Sequence, residues 1–194
     1  MDNQCVCCNK PLGFFARKIR IKNSLVCGDC AAEAGLIKNR DYDDDFLMFT
    51  DEMVCELRQQ NLELMRFFQR DAAMKESKMD GYIQFNDTAK CFMLCKTPYC
   101  RDIYRYDQIH AFHLIDSCSG GYCRNMRIKI TLTDSPRSCV FIPLIRGDVS
   151  THSSLYTSMF ATAHEITARL AVAKHMGRGN HNNPNNRRQY RNNY

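Results

Sequence analysis

Residues 5–8 read CVCC and residues 27–30 read CGDC, which places two Cys-x-x-Cys pairs close together near the start of the chain. Each such turn directs two thiolates towards one ion, and two turns supply the four ligands of a tetrahedral structural zinc site. Residues 9–26 separate the pairs, a spacing typical of four-cysteine zinc modules. The sequence therefore predicts one structural zinc ion per chain, bound by Cys5, Cys8, Cys27 and Cys30.

The extra cysteine of the first turn, Cys7, is expected to point away from the ion. Two alternatives stay open: Cys7 replaces Cys8 as a ligand, or the four cysteines are reduced core residues without a metal. Disulfides are disfavoured, because residues 1–10 lack the basic start, apolar core and cleavage site of a signal peptide. Closely spaced cysteines in a reducing compartment more often bind a metal. We therefore expect a cytoplasmic location.

The segments around the two pairs indicate a small finger over residues 1–40. Ile19 and Ile21 alternate with basic residues, which predicts a two-stranded ribbon. The stretch CAAEAGLI, residues 30–37, predicts a brief helix that Gly35 terminates. A cysteine knuckle, a ribbon and a second pair at a helix start form the order of a treble-clef finger. So short a segment buries little apolar area, so the metal is expected to supply much of its folding energy.

The net charge of +6 is unevenly distributed along the sequence. Residues 175–194 contain no acid but four arginines, Arg178, Arg187, Arg188 and Arg191. Residues 41–56 contain no Lys or Arg but seven acids, Asp41, Asp43, Asp44, Asp45, Asp51, Glu52 and Glu56. Acids favour the positive end of a helix dipole, so a linker and helix start is favoured over an acidic metal-binding loop.

A long helix is predicted from about Thr50 to about Lys78, within an acidic junction and linker helix that spans residues 41–79. Its apolar residues fall at helical spacings on one face: Phe49, Met53, Leu57, Leu64, Phe68 and Ala72. Core packing is the default for such a stripe, and self-association is the alternative. Asn61 interrupts the stripe, which weakens the case for self-association, and the oligomeric state stays open.

Residues 80–176 change to short alternating segments, which predict six strands: YIQF, KCFML, RDIYRY, QIHAFHLI, MRIKITL and CVFIPLI. An amphipathic helix follows, with Ser153 or Ser154 as its cap and an apolar stripe of Leu155, Met159, Ala163, Ile166, Leu170 and Ala173. The fold class is therefore α+β, a bent antiparallel sheet closed by a C-terminal helix. This is the order of a pleckstrin-homology-like barrel. Residues 177–194 have the composition of a disordered Asn/Arg-rich tail.

The start CVCCNKPLGFF with LVCGDC, the segment YRYDQIHAFHLID and the final helix after FIPLI together resemble an uncharacterised bacterial family. That family is a domain of unknown function that couples a short N-terminal zinc finger to a pleckstrin-homology-like domain. The resemblance implies zinc and this architecture. It implies no activity, because none is established for the family.

Other cysteines permit a second site in which Cys95, Cys100, Cys118 and Cys123 converge on another zinc ion. Their four-residue spacers fit a zinc turn less well than two, so buried reduced cysteines are the alternative. The motifs of common catalytic sites are missing: the sequence has no phosphate-binding glycine loop, HExxH helix or GxSxG elbow. We therefore expect a protein without enzymatic activity, and the alternative is a Cys nucleophile with a His partner that is distant in sequence.

The expected function is that of a zinc-binding interaction or adaptor protein that acts through macromolecular contacts, with a protein as partner. The alternative is binding of single-stranded RNA or DNA through the tail and four basic residues of the ribbon, Arg17, Lys18, Arg20 and Lys22. A third option, lipid headgroup binding, follows from the pleckstrin-homology-like order alone. No apolar run is long enough to span a membrane.

Overall fold

The computed structural model describes residues 3–36, 48–69, 77–95 and 102–178. The chain divides into two compact units. The cysteine unit comprises Met1–Phe68 and Met93–Tyr104, and the sheet unit comprises Gln69–Phe92 and Arg105–Tyr194. The acidic residues 41–47, Ala72, Cys100 and residues 179–194 of the predicted tail lie outside the described residues.

Two short antiparallel strands, β1 (Lys18–Arg20) and β2 (Leu25–Cys27), form the predicted ribbon of the cysteine unit. Ile19 pairs with Val26 and is half-buried, whereas Lys18 and Arg20 on either side of it are exposed. The alternation of apolar and basic residues therefore sets which face of the ribbon meets the core. The prediction of a ribbon is confirmed.

Helix α1 (Gly28–Glu33) follows β2 directly and ends as the sequence predicts, at a left-handed glycine. Gly35 has φ +72°, a value that residues with a Cβ rarely adopt. Its N–H donates to the carbonyl oxygen of Ala32, and the N–H of Leu36 donates to that of Ala31. This pair of bonds is a Schellman motif, which satisfies two carbonyl groups at the end of the helix.

Helix α2 (Asp51–Phe67) begins at Thr50, whose Oγ1 accepts a hydrogen bond from the N–H of Met53. Val54, Leu57 and Asn61 face inwards and are buried. The helix packs on the cysteine segment in one apolar core, made of Cys5, Leu12, Ile21, Val26, Cys27, Cys30, Ala31, Ala34, Leu36, Phe49, Val54 and Leu57. Core packing of α2 within its own chain is therefore observed.

The prediction that this helix continues to about Lys78 is wrong. Phe68 has extended backbone angles, φ −72° and ψ 110°, and a separate 3₁₀ turn, Lys78–Gly81, precedes the first strand of the next region. Beyond Asn61 no residue of α2 is fully buried, and Phe67 is 70% exposed. Helices in proteins are stabilised mainly by packing of an apolar face. A helical pattern of apolar residues is therefore not enough by itself to continue α2 beyond Phe67.

Six further strands follow in the predicted order: β3 (Ile83–Asn86), β4 (Cys91–Leu94), β5 (Ile103–Arg105), β6 (Ile109–Ser119), β7 (Tyr122–Leu132) and β8 (Cys139–Ser150). They form two three-stranded sheets, β3-β4-β5 and β6-β7-β8, rather than one bent sheet. The 3₁₀ turn Tyr106–Gln108 separates β5 from β6, and Gln108 Oε1 accepts from the N–H of Arg105. This turn interrupts the strand ladder, which explains the division.

Strand β7 lies at the centre of the second sheet, antiparallel to both neighbours. Gly120 and Gly121, with φ of +59° and +80°, form the two-residue turn between β6 and β7. Pro143 lies in the edge strand β8, where a missing N–H is tolerated. The mixed fold with three small sheets and a C-terminal helix agrees with the predicted α+β class.

Helix α3 (Ser154–Arg178) packs on this sheet. Ser153 Oγ accepts from the N–H of Tyr156 and thus caps the helix as predicted. The buried face consists of Thr162, Ala163, Ile166, Leu170, Ala173 and Gly177, whereas Leu155 at the first turn is 52% exposed. The helix includes Gly177 and Arg178, the first two residues of the predicted tail.

Arg169 on α3 makes a polar contact with the segment that follows β3. Its Nη2 donates to Asp87 Oδ1 at 2.6 Å, and its guanidinium lies 4.5 Å from the centroid of the Phe85 ring. The hydroxyl of Tyr106 donates to the same Asp87 oxygen at 2.8 Å. These bonds join α3 to the turn after β3.

Among the helices of the described ranges, none combines the length and the hydropathy that a bilayer crossing requires.

Candidate metal centre

Four cysteine sulfurs meet beside the ribbon of the cysteine unit. The Sγ atoms of Cys5, Cys8, Cys27 and Cys30 all lie within 4.8 Å of one another. The first two come from the turn before β1, Cys27 ends β2, and Cys30 lies in the first turn of α1. This set, which we call the cysteine cluster, could hold a metal ion. It contains Cys8 rather than Cys7.

Backbone hydrogen bonds fix the two turns that carry these sulfurs. The N–H of Cys5 donates to the carbonyl oxygen of Lys10, and the N–H of Asn9 donates to that of Cys5. Asn9 adopts φ +56°, which closes the first turn. The N–H of Val6 donates to the carbonyl oxygen of Leu25, so the turn lies directly against β2.

The sulfurs also accept backbone hydrogen bonds from each other's segments. The N–H of Cys27 lies 3.3 Å from Cys5 Sγ, and the N–H of Cys30 lies 3.4 Å from Cys27 Sγ. Such bonds stabilise thiolates, the form in which cysteine binds a metal. Cys5, Cys27 and Cys30 are buried, whereas Cys8 is exposed. The cluster therefore faces solvent on the Cys8 side only.

The pKa of Cys5 shifts in the opposite direction from the pKa values of Cys27 and Cys30. Burial raises the pKa of Cys5, but the backbone amides of Cys27, Cys7 and Cys8 outweigh it and lower that pKa to about 6. Burial raises the pKa of Cys30 and of Cys27, and neighbouring cysteine sulfurs raise that of Cys30 further. A thiolate at one position therefore opposes ionisation of the next thiol, and a bound cation would relieve that repulsion.

A cationic side chain from α2 lies close to the cluster. Arg58 Nε donates to Glu33 Oε2 at 2.5 Å, which raises the pKa of Arg58 against the opposing effect of burial. Electrostatic interaction with Cys30 and Cys7 adds to that rise in the pKa of Arg58. Sequence reasoning missed this contribution, because it depends on the packing of α2 against the finger.

Comparison with protein-family models, curated proteins and solved structures gives no match for this chain.

Chemically, the cluster offers four sulfur ligands from one chain. Among the described residues it is the one group of three or more Cys, His, Asp or Glu side chains close enough to hold an ion.

Cys7 lies outside the cluster, as expected, and meets a partner that the sequence did not predict. Its Sγ is 3.2 Å from Cys55 Sγ on α2, and both residues are half-buried. Burial, followed by the neighbouring Cys55, holds the pKa of Cys7 above its usual range. The sequence alone gives no signal for this pair, because the two cysteines are separated by the ribbon, α1 and the start of α2.

The second predicted site stays a prediction. Cys118 and Cys123 are opposite residues of the β6–β7 pair in the sheet unit. Burial and the neighbouring Cys118 raise the pKa of Cys123 to about 11. Cys95 belongs to the cysteine unit, and Cys100 lies outside the described residues.

An aromatic pair in the segment between the two cysteine turns also escaped the sequence-based site prediction. Phe14 and Phe15 are 89% and 96% exposed, and their rings meet edge to face with centroids 5.3 Å apart. The basic side chains of the ribbon, which are Arg17, Lys18, Arg20 and Lys22, are exposed as well. All six side chains lie within residues 14–22, in the segment that leads into and past β1. We call these six residues the Phe-basic surface.

Proposed function

We propose that the chain is a non-enzymatic interaction protein whose cysteine unit is built around one structural zinc ion. The observation on which this rests is the convergence of four cysteine sulfurs within 4.8 Å. Metal–sulfur bonds of about 2.3 Å in a tetrahedron place sulfurs about 3.8 Å apart. Cys8 Sγ and Cys27 Sγ are 3.8 Å apart, which fits that geometry.

Zinc is favoured by the ligand set. Thiolates are soft ligands that prefer zinc over magnesium or calcium, and a four-sulfur tetrahedral site is typical of structural zinc. Four ligands from the protein leave no open position for a substrate, which supports a structural rather than a catalytic role. A zinc ion with four thiolates has a net charge of −2, and the nearby guanidinium of Arg58 offsets part of it.

The finer fold assignments belong to this proposal. A knuckle at Cys5–Cys8, the ribbon β1–β2 and a second pair at a strand end and helix start support a treble-clef finger. Six strands in two sheets followed by α3 support a pleckstrin-homology-like domain. Neither assignment implies an enzymatic activity.

A direct test of the metal is elemental analysis of the purified full chain. We expect one zinc per chain in the wild type and its loss in Cys27→Ser. Cys118→Ser removes an exposed cysteine of the sheet unit and serves as the matched control, with its zinc retained. A full zinc content in Cys27→Ser would refute the ligand assignment. A second equivalent in the wild type that Cys118→Ser removes would support the site at Cys95, Cys100, Cys118 and Cys123.

We propose that the Phe-basic surface contacts a protein partner. Aromatic residues are frequent anchors of protein interfaces because they bury a large area with few rotatable bonds. Exposed Lys and Arg around the pair favour a partner surface with an acidic rim. Affinity capture from the native cell, scored separately for protein and for nucleic acid, tests this with Phe14→Ser/Phe15→Ser. Phe67→Ser, which removes another exposed aromatic of the cysteine unit, is the control.

We expect the double variant to lose a protein that the wild type and Phe67→Ser both capture after nuclease treatment. Equal loss in Phe67→Ser would indicate non-specific adhesion instead. A cytoplasmic location remains part of this proposal, and fractionation of the native cell tests it.

The same surface supports a second candidate function, the binding of single-stranded nucleic acid. Bases stack on exposed aromatic rings, and Arg and Lys neutralise phosphates. Titration of mixed single-stranded RNA at two salt concentrations separates the candidates. Submicromolar binding that falls with salt and with Phe14→Ser/Phe15→Ser would favour RNA. Binding lost on deletion of residues 179–194 alone would assign it to the tail; this deletion leaves α3 complete.

A further inference from the structure

The contact between Cys7 and Cys55 joins two segments of the cysteine unit outside the cysteine cluster. Cys7 lies in the first cysteine turn, and Cys55 lies in the second turn of α2. Their sulfurs are 3.2 Å apart, whereas a disulfide has sulfurs about 2.05 Å apart. The two sulfurs are therefore in direct contact, about 1 Å farther apart than in a disulfide.

Two hydrogen bonds, one on each side of Cys55, hold α2 against the β1–β2 turn and against the end of α1. Towards the start of α2, Ser24 Oγ donates to Asp51 Oδ2 at 2.8 Å. Further along the helix, Asn61 Nδ2 donates to the carbonyl oxygen of Glu33 at 2.9 Å. Val54 and Leu57, the neighbours of Cys55 on the buried side, are 0% and 1% exposed. The thiols are thus kept adjacent without any covalent bond.

We propose that Cys7 and Cys55 are a reversible dithiol, which a low-molecular-weight disulfide such as glutathione disulfide converts into a disulfide between the first cysteine turn and α2. Neither residue belongs to the cysteine cluster, so its four sulfurs remain free to bind a metal. Both residues are half-buried rather than enclosed, so we expect a small oxidant to reach them without unfolding of the unit. The alternative is a pair of reduced thiols that only fill space at the helix contact.

The reaction takes place in two exchange steps. The sulfur of Cys55, as thiolate, attacks one sulfur of glutathione disulfide, forms a mixed disulfide and releases one glutathione thiolate. The sulfur of Cys7 then attacks the Cys55 sulfur of that mixed disulfide and displaces the second glutathione. Protons from the two cysteine thiols end on the two glutathione molecules. Two cysteine thiols are oxidised, and one glutathione disulfide is reduced.

Oxidation of Cys7 and Cys55 would change how the cysteine unit responds to loss of the metal. In the reduced protein, α2 is held to the first cysteine turn only by non-covalent packing, which depends on the integrity of the cysteine cluster. In the oxidised protein, a covalent bond between Cys7 and Cys55 holds the two segments together whether or not the metal is present. The redox state of this pair would then decide whether metal loss releases α2.

The experiment treats the full-length, metal-containing protein with glutathione disulfide and maps its peptides without reduction. We expect a Cys7–Cys55 cross-link, a mass loss of two hydrogen atoms and an unchanged metal content. In Cys7→Ser, the second step is blocked, so glutathione should stay attached to Cys55. Cys118→Ser should form the cross-link as the wild type does. Hydrogen exchange after chelation should show α2 protected in the oxidised wild type and unprotected in the reduced one.

Two results would overturn the proposal. The first is a wild-type protein without the Cys7–Cys55 peptide under conditions in which other cysteines become oxidised. The second is a cross-link that includes a cysteine of the cluster and forms with loss of metal. Because both results come from the unmutated protein, they hold even if one of the serine variants fails to fold.

Discussion

The side-chain amide of Asn61 in α2 donates to the backbone carbonyl oxygen of Glu33, the last residue of α1, at 2.9 Å. Its Oδ1 accepts from the backbone N–H of Ile103 at 3.3 Å. Asn61 is 5% exposed and Ile103 is fully buried. One buried amide therefore satisfies an end carbonyl of α1 and the N–H of a strand residue, two groups whose burial without a partner is costly.

Replacement of Asn61 by Ala should destabilise the cysteine unit by about 1–3 kcal/mol, because it leaves a buried carbonyl and a buried N–H without their bonds. Hydrogen exchange of the amides in α1 and α2 measures this loss within the unit. Gln59→Ala is the matched control, since the side-chain amide of Gln59 donates to Glu63 Oε1 on the exposed side of the same helix. Unchanged exchange in Asn61→Ala would show that other groups or water replace the amide.

The burial of Asn61 could not be predicted from the helical pattern of apolar residues. The apolar stripe predicted α2 and its packing, and Leu57 is buried as expected. The same pattern made Asn61 an interruption, although it is one of three buried residues of the helix. Its partners come from α1 and from the start of β5, segments distant in sequence, so helical periodicity contains no information about them. The Cys7–Cys55 contact was unpredictable for the same reason.

The cysteine cluster, by contrast, could be predicted from spacing. A Cys-x-x-Cys turn is a local structure, and its bonds lie within a few residues, as those from Cys5 to Lys10 and Asn9 show. The six strands were predictable too, because alternation is local. Their division into two sheets was not, since it depends on the 3₁₀ turn Tyr106–Gln108. The secondary-structure propensities of residues 106–108 do not distinguish a 3₁₀ turn from a continuation of the strand.

On the proposal that the cysteine cluster holds zinc, a chelator under reducing conditions should unfold the cysteine unit and leave the β6–β8 sheet with α3 folded. Zinc binding of this kind provides about 10–16 kcal/mol, which exceeds what so small an apolar core contributes. Helix α2 should lose protection together with α1, because Val54 and Leu57 share a core with Cys27 and Cys30. Hydrogen exchange of peptides from 18–33, 51–67 and 109–132 checks this. Retained protection of 51–67 alone would contradict the shared core.

The ion pair between Asp87 and Arg169 should make the sheet unit less stable in acid. Burial opposes ionisation of Asp87, but hydrogen bonds from Arg169 and Tyr106 outweigh it and hold its pKa below the usual range. A lowered folded-state pKa stabilises the fold above the unfolded pKa of about 3.9, and this contribution disappears as the pH falls through the folded-state pKa. Asp87→Asn should therefore cost about 1–2 kcal/mol at neutral pH.

The cost of Asp87→Asn should shrink below about pH 4, where the wild-type carboxylate begins to be protonated. Denaturant unfolding of both proteins as a function of pH measures the difference. Asp148→Asn is the control, because the pair of Asp148 with Arg124 is largely exposed and contributes little. A cost that stays constant down to the acid limit would show that Asp87 acts through packing and not through its charge.

Gly177 permits the close approach of α3 to the 3₁₀ turn Tyr106–Gln108. A Cβ at this position would lie 2.6 Å from the carbonyl carbon of Tyr106 and 2.7 Å from the N of Asp107. Both are backbone atoms, so a side-chain rotation cannot relieve the clash. Gly177→Ala should therefore cost about 1–3 kcal/mol through overpacking, although Ala favours a helix over Gly by about 1 kcal/mol.

Thermal unfolding of the full chain, with hydrogen exchange of α3, tests the prediction for Gly177→Ala. Gly81→Ala makes the same chemical change in the sheet unit where no heavy atom lies within 4 Å of the new Cβ, so its melting temperature should stay close to that of the wild type. The destabilised variant should lose protection first in the last turns of α3, because the clash is local to that end. A stabilised Gly177→Ala would mean that helix propensity outweighs the contact and that α3 does not pack on Tyr106 as described.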